Sequence, residues 1–167
     1  MDGNNSNCRI EIQKSKKYLL CSDDHQFSPL HWAAKQGHSK IVDMLLSRGA
    51  RVHTTNMGDD TPLHLAAAHG HEDIVVTVRK NLKQSIFKHF HLIFFPQLLK
   101  NKAVLDFVNE HGNTPLHYAC FWNFGNVALE LVEWGALVTI QNKYGESPLD
   151  KASSSIRGRL QGMYKIC

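Results

Sequence analysis

One short word recurs along this chain and limits what it can become: Ser28-Pro29-Leu30-His31-Trp32-Ala33-Ala34, Thr61-Pro62-Leu63-His64-Leu65-Ala66-Ala67, Thr114-Pro115-Leu116-His117-Tyr118-Ala119-Cys120 and the weaker Ser147-Pro148-Leu149-Asp150-Lys151-Ala152. The four prolines stand 33, 53 and 33 residues apart, so the middle interval is one period plus 20. Such a period commits the chain to a stack of small units, none of which can bury its apolar face alone. The residue types explain themselves. Thr or Ser supplies an N-cap oxygen to the orphan N–H groups of a first helical turn, and Pro fits at the first helical position, where its missing donor costs nothing. Leucine then faces the stack, and the paired alanines let neighbouring helices approach. Gly37-His38 and Gly70-His71 end these short helices with a glycine suited to positive φ.

A second helix follows in each unit, marked by Ile41-Val42 with Leu45-Leu46 and by Ile74-Val75, at helical spacing that buries one face. Gly49-Ala50 and Gly135-Ala136 close it, and the linkers 56–60, 109–113 and 142–146 have the Asn, Asp and Gly content of projecting turns. A 33-residue period with this motif core is the signature of ankyrin repeats. The expected fold is therefore all-α: an ankyrin-repeat solenoid of stacked helix-turn-helix pairs with projecting β-turns. About four repeats occupy residues 23–152, the first and last weak, between a degenerate N-terminal cap at 1–22 and a C-terminal cap or tail at 153–167. In that tail Ile156, Leu160 and Met163 are the apolar residues that can close the stack.

The extra 20 residues are placed by comparing the repeats with one another. The run Val42 to Ala50 aligns with Val75-Val76-Thr77 joined to Leu98-Leu99-Lys100-Asn101-Lys102-Ala103 once 78–97 is removed. The excess falls inside a helix, whereas insertions are tolerated at exposed loop tips. It crowds Phe87, Phe90, Phe94 and Phe95 together, which would be an aggregation liability if exposed. Val78-Arg79 can be encoded with a splice-donor-like start and Phe94-Phe95-Pro96-Gln97 with a splice-acceptor-like pyrimidine run, so 78–97 reads as a short translated intron. The other reading is a loop bulging out between two half-helices.

Composition narrows the function. With 43% hydrophobic and 20% charged residues, the chain is globular rather than disordered. Its 19 basic and 15 acidic residues are scattered, with a small cluster at Lys14, Lys16 and Lys17, so no nucleic-acid partner is expected. Cys8, Cys21, Cys120 and Cys167 lack zinc-site spacing and read as reduced thiols of a cytosolic protein. The polar start from Met1 to Asn7 is no signal peptide, and the apolar stretch Ile86 to Leu99, broken by Lys88, His89, His91 and Pro96, is too short to span a bilayer.

Longer words go beyond the generic repeat: Asp23-Asp24-His25-Gln26-Phe27-Ser28-Pro29-Leu30-His31-Trp32-Ala33, Gly58-Asp59-Asp60-Thr61, Val108-Asn109-Glu110-His111-Gly112-Asn113, Leu116-His117-Tyr118-Ala119-Cys120-Phe121-Trp122 and Asn142-Lys143-Tyr144-Gly145-Glu146. Over residues 23–152, apart from the insertion, the chain resembles the ankyrin domain of the integrin-linked kinase family. It departs at Gln26, where a turn glycine is usual, at Asn123-Phe124, and in a shortened first repeat. The resemblance implies a cytoplasmic adaptor at cell-matrix adhesions whose concave face grips a LIM-domain adaptor protein of the PINCH type. The family's kinase-like half, with its parvin and integrin contacts, is not expected here. Nor is catalysis: GxGxxG, HRD and DFG motifs are missing, and Asp106-Phe107-Val108 fails at the glycine.

The candidate site comes from comparing repeats. Lys35-Gln36 and Ala68-His69 stand where the third repeat has Phe121-Trp122, so two aromatics occupy a position that is polar and exposed elsewhere, as binding hot spots do. Trp32, Leu65 and Tyr118, each just after the motif histidine, are expected to line the same concave side. Asp59, Asp60, His111, Lys143 and Tyr144 at the turn tips supply a polar rim. The chain has 11 histidines, but His31, His64 and His117 sit where the side chain can bond the adjacent turn, so neither a metal nor another cofactor is expected. The expected molecule is a monomer that binds a heterologous protein without inserting into membranes. Competing readings are a generic ankyrin adaptor or inhibitor with another partner, a nucleic-acid-associated adaptor using the basic surface, and a truncated gene-model fragment.

Overall fold

Four capped helix starts set the architecture. The computed structural model describes Leu19, residues 21–89 and residues 105–164, with 82–89 and 164 described by backbone alone. Most of the N-terminal cap at 1–22, the phenylalanine side chains of the insertion, Cys8 and Cys167 lie outside the described residues. Those residues hold eight helices and no strand: α1 Pro29–Lys35, α2 Ser39–Ser47, α3 Pro62–Ala68, α4 Glu72–His89, α5 Pro115–Phe121, α6 Gly125–Trp134, α7 Pro148–Lys151 and α8 Ser154–Tyr164. Odd-numbered helices open with Ser28, Thr61, Thr114 and Ser147 as N-caps and proline at the first position.

The motif histidines hold the stack in register. In each of the first three repeats the N-cap N–H donates to the histidine Nδ1, at 3.0 Å for His31, 3.1 Å for His64 and 3.0 Å for His117. A ring nitrogen that accepts carries no proton, so the proton is on Nε2. That Nε2–H donates to the turn of the following repeat: His31 to Asp60 O at 3.0 Å, His64 to Asn113 O at 2.9 Å and His117 to Glu146 O at 3.0 Å. The fourth motif has Asp150 instead, whose carboxylate accepts from Ser147 N and Oγ and has no proton to send onward. The turns are built alike. Buried Asn56, Asn109 and Asn142 each accept two backbone N–H groups of their own turn through Oδ1. Successive turns are joined by Met57 N–H to His25 O, Glu110 N–H to Gly58 O and Lys143 N–H to His111 O, at 3.0 to 3.2 Å. Left-handed backbone at Gln26 (φ 61) and Asp59 (φ 60) matches that at Gly112 and Gly145, so the turn keeps its shape without the glycine.

Two apolar clusters fill the interior. Leu30, Ala34, Val42, Leu45, Ala66, Ile74, Val78 and Leu19 form the first, and Leu63, Val75, Leu116, Ala128 and Leu131 belong to the second. Val52 and Trp134 pack against both. At the C-terminal end α8 lays Ile156 and Leu160 into the second cluster, with Met163 against it. Arg157 Nε donates to Leu149 O at 3.0 Å and so supports the end of the four-residue α7. Helix α4 differs from the half-helix reading of the insertion: it runs 18 residues without a break through 78–89, twice the nine of α2.

Glycine is required at two helix ends for a steric reason that also explains an exception. A Cβ on Gly37 (φ 77) would stand 2.7 Å from the His71 ring, and one on Gly70 (φ 73) would stand 2.6 Å from Phe124. The equivalent residue of the third repeat is Asn123, left-handed at φ 62, with Ser153, Ser155 and Ile156 of the following segment lining the space beside it. Its Oδ1 accepts from Ser153 Oγ at 2.7 Å instead, beside an open notch of about 400 Å³. Gly70→Ala is expected to cost about 2–4 kcal/mol, left-handed strain plus overpacking. Gly49→Ala, at φ 92 with nothing within 4 Å of its Cβ, should cost only about 1–2 kcal/mol. Urea unfolding of the two variants measures the difference; equal losses would remove the ring contact from the explanation.

Candidate protein-binding surface

The end of α5 carries the most prominent surface feature. Phe121 and Trp122 follow the last buried turn, and Trp122 is the C-cap, so neither side chain can reach the interior. They are 56% and 54% exposed, with ring centroids 5.0 Å apart at 88°. This edge-to-face pair borders a cleft of about 160 Å³ whose walls include Tyr118, Phe121, Trp122, Tyr144 and Lys151. Its floor brings in His117, already fixed by the repeat frame.

Tyr118 is held by Asn109 Nδ2, which donates to its hydroxyl at 3.0 Å and to Asp60 Oδ1 at 2.9 Å. Burial first, and the Asp60 charge second, push the phenol above its ordinary value, so it remains a neutral hydrogen-bonding group. On the opposite wall Lys151 pairs with Glu146 at 2.5 Å and stands 5.7 Å from the Phe121 ring centroid. Hydrogen bonds from Lys151 and then Asn142 hold the Glu146 carboxyl below its usual range. The cleft therefore combines apolar rings with polar groups already oriented by the frame, which suits a partner side chain better than a reaction. Cys120 behind it is buried, its thiol pushed up to about 12 by desolvation, and is not nucleophilic.

Of the residues singled out from sequence, Tyr118, Phe121, Trp122 and Tyr144 share this cleft. Tyr144 is 71% exposed, and Lys143 and His111 are exposed on adjoining turns linked by Lys143 N–H to His111 O. Asp59 is exposed one turn away, but Asp60 is tied into the frame, its carbonyl engaged by His31 and its carboxylate by Asn109. Trp32 lies outside the cleft: 44% exposed, it donates to Asp23 Oδ2 at 3.0 Å and packs 5.1 Å from Phe27. Leu65, which joins the same column, is buried at 8%, so the expected row of exposed residues is interrupted. Lys151, Asn113 and Asn142 were not anticipated. Lys151 was readable in principle, because it occupies in the fourth motif the position of Trp32, Leu65 and Tyr118.

Among the described residues no group of three His, Cys, Asp or Glu is placed to hold a metal ion. No helix among them is long and apolar enough to cross a membrane.

Comparison with known proteins agrees with the repeat geometry. A family model described as ankyrin repeats (3 copies) matches residues 14–86 and 55–142. The chain is 57% identical over 60 residues to integrin-linked protein kinase homolog pat-4 of Caenorhabditis elegans, covering 36% of this chain and 13% of that protein. It is 49% identical over 60 residues to scaffold protein ILK of Homo sapiens, with the same coverage. To palmitoyltransferase ZDHHC13 of Homo sapiens it is 34% identical over 160 residues, covering 86% of this chain and 26% of that protein. The chain thus spans 13% of the first two relatives and 26% of the third. The capped helix pairs, the forward-reaching histidines and this match over most of the sequence place the chain in the ankyrin-repeat family.

Proposed function

We propose that this chain is a non-catalytic interaction scaffold whose third repeat grips a LIM-domain adaptor of the PINCH type at cell-matrix adhesions, on the cytoplasmic side of the membrane. The exposed perpendicular pair Phe121 and Trp122 carries the reading. Two large rings half in water cost solvation in the free protein, and a partner that covers them recovers it. The likeness to scaffold protein ILK and to the pat-4 homolog supports this kind of scaffold, and Tyr144 in the cleft with exposed Lys143 and His111 on adjoining turns would supply the polar rim such an interface needs. A generic ankyrin adaptor with another protein partner would use the same rings.

Trp122→Ala is expected to weaken binding of a PINCH-type LIM domain by about 2–4 kcal/mol, a loss of roughly 30-fold or more in affinity. The melting midpoint should move little, since Trp122 is more than half exposed. Calorimetric titration of the chain and the variant checks both. Absence of binding to the LIM domain would sink the partner, and binding that survives the substitution would sink the surface. Binding that falls steeply with salt would point instead to a phosphate-bearing ligand on the basic residues.

A further inference from the structure

Helix α4 passes through a four-residue segment that has a near-echo 20 residues further along the chain. Core positions 13 and 16 residues after the motif proline are Val42 and Leu45 in α2 and Ala128 and Leu131 in α6, all fully buried. In α4 they are Val75 and Val78, at 0% and 2% exposure. Just past Val78, Arg79 Nη1 donates to Glu130 Oε1 of α6 at 2.6 Å, the two side chains 27% and 16% exposed. Asn81 Nδ2 donates to Asp43 Oδ1 of α2 at 2.8 Å and to Thr77 O at 3.0 Å. Residues 78–81 therefore fasten α4 to the helices on both sides.

Those four residues also open the 20-residue excess over the repeat period, and the residues that follow the excess echo them. Val78-Arg79-Lys80-Asn81 and Leu98-Leu99-Lys100-Asn101 lie 20 apart, each with an apolar residue first and Lys-Asn last. Removal of 78–97 would carry Leu98 to the place of Val78, Lys100 to that of Lys80 and Asn101 to that of Asn81.

We propose that the two tetrads can serve interchangeably as the segment of α4 that follows Thr77, so that the repeat array folds in the same register with or without residues 78–97. In the full chain Val78 fills the core place that Leu45 and Leu131 fill in their own repeats, packed in the same cluster as Leu45, and Asn81 binds Asp43. In a chain lacking 78–97, Leu98 fills that place with a side chain matching Leu45 and Leu131, and Asn101 binds Asp43. One contact is not replaced: Leu99 falls where Arg79 stood, so Glu130 loses its ion pair. The 20 residues are then a cassette that can be present or absent without disturbing the neighbouring repeats, whether it reaches the chain by retained intron or otherwise.

The test uses the full chain and the chain lacking 78–97, followed by thermal and urea unfolding. The shorter chain is expected to fold cooperatively. Val78→Asp should lower the full chain's midpoint by at least about 5 °C, and Leu98→Asp should do the same only in the shorter chain. Because a buried aspartate can prevent folding altogether, the milder pair settles the assignment. Asp43→Ala should couple to Asn81→Ala in the full chain and to Asn101→Ala in the shorter one, each by about twofold or more in the unfolding constant. A shorter chain that does not fold, Leu98→Asp damaging both chains equally, or coupling of Asp43 to Asn101 in the full chain overturns the proposal.

Discussion

Replacing His64 with alanine is expected to remove about 3–5 kcal/mol of stability, more than any other single change in the frame. The imidazole is 0% exposed and serves three groups at once: Thr61 N–H, Thr61 Oγ and Asn113 O. Alanine leaves the buried Thr61 N–H unpaired, at about 1–3 kcal/mol, takes from Asn113 O one of its two donors, Asn109 N–H being the other, and opens a cavity the size of an imidazole besides. Domains of this kind are stable by about 5–15 kcal/mol in all, so roughly a fifth or more of the total goes with one ring. The loss has a direction along the stack, because the bond to Asn113 is the histidine link between the second and third repeats, across a separation of 49 residues that includes the insertion. Urea unfolding should show a lower midpoint and a broader transition as the two halves uncouple. A loss below about 1 kcal/mol would mean that water reaches Thr61 and Asn113, and the histidine clamp would then be packing alone.

The same residues show how far the sequence could be read. The caps, the motif prolines, the left-handed glycines and the inward leucines were legible because each rests on chemistry within four residues of chain. The histidine bond to the adjacent turn was legible for the same reason, since the period fixes what lies one repeat away. Exposure of Phe121 and Trp122 followed from comparison with Lys35-Gln36 and Ala68-His69. What escaped depended on partners at long range or on weakened words. Asp60 looks like a rim residue until Asn109, 49 positions on, is seen to donate to it. Leu65 sits in the same column as exposed Trp32 and half-buried Tyr118, yet is buried. Lys151 was hidden because the fourth motif reads Pro-Leu-Asp and so gave no reason to look at the residue after it. Helix α4 runs on because the place 20 residues after the motif proline, where α2 and α6 meet the left-handed Gly49 and Gly135, holds Leu82, so nothing stops the helix where the period says it should.

Acid should loosen this array over a defined window. Burial is the first cause that lowers the basicity of His31, His64 and His117 below the ordinary histidine value of 6.5. Carboxylates act against it only in part, Asp60 and Asp23 at His31, Asp60 at His64, and Glu146 and Asp150 at His117, while the His117 ring beside His64 and Lys151 beside His117 push the same way as burial. A histidine that stays neutral when folded but charges when unfolded stabilises the fold fully above pH 6.5. That contribution is lost as pH falls below 6.5 toward the lower folded value, since the unfolded chain binds more protons there. Protonation would also place a hydrogen on Nδ1, where the N-cap N–H already points. Up to about 1.4 kcal/mol per pH unit is expected for each histidine, roughly 4 for the three together, so urea midpoints should fall steeply between pH 7 and pH 5. The carboxyls of Asp23, Glu146 and Asp150 are held below their ordinary values by hydrogen bonds, so their losses come only at lower pH. His117→Gln separates the causes. A glutamine at the third helical position can still accept from the N-cap N–H but cannot titrate. The variant should therefore lose about a third of the slope; an unchanged slope would place the acid sensitivity elsewhere.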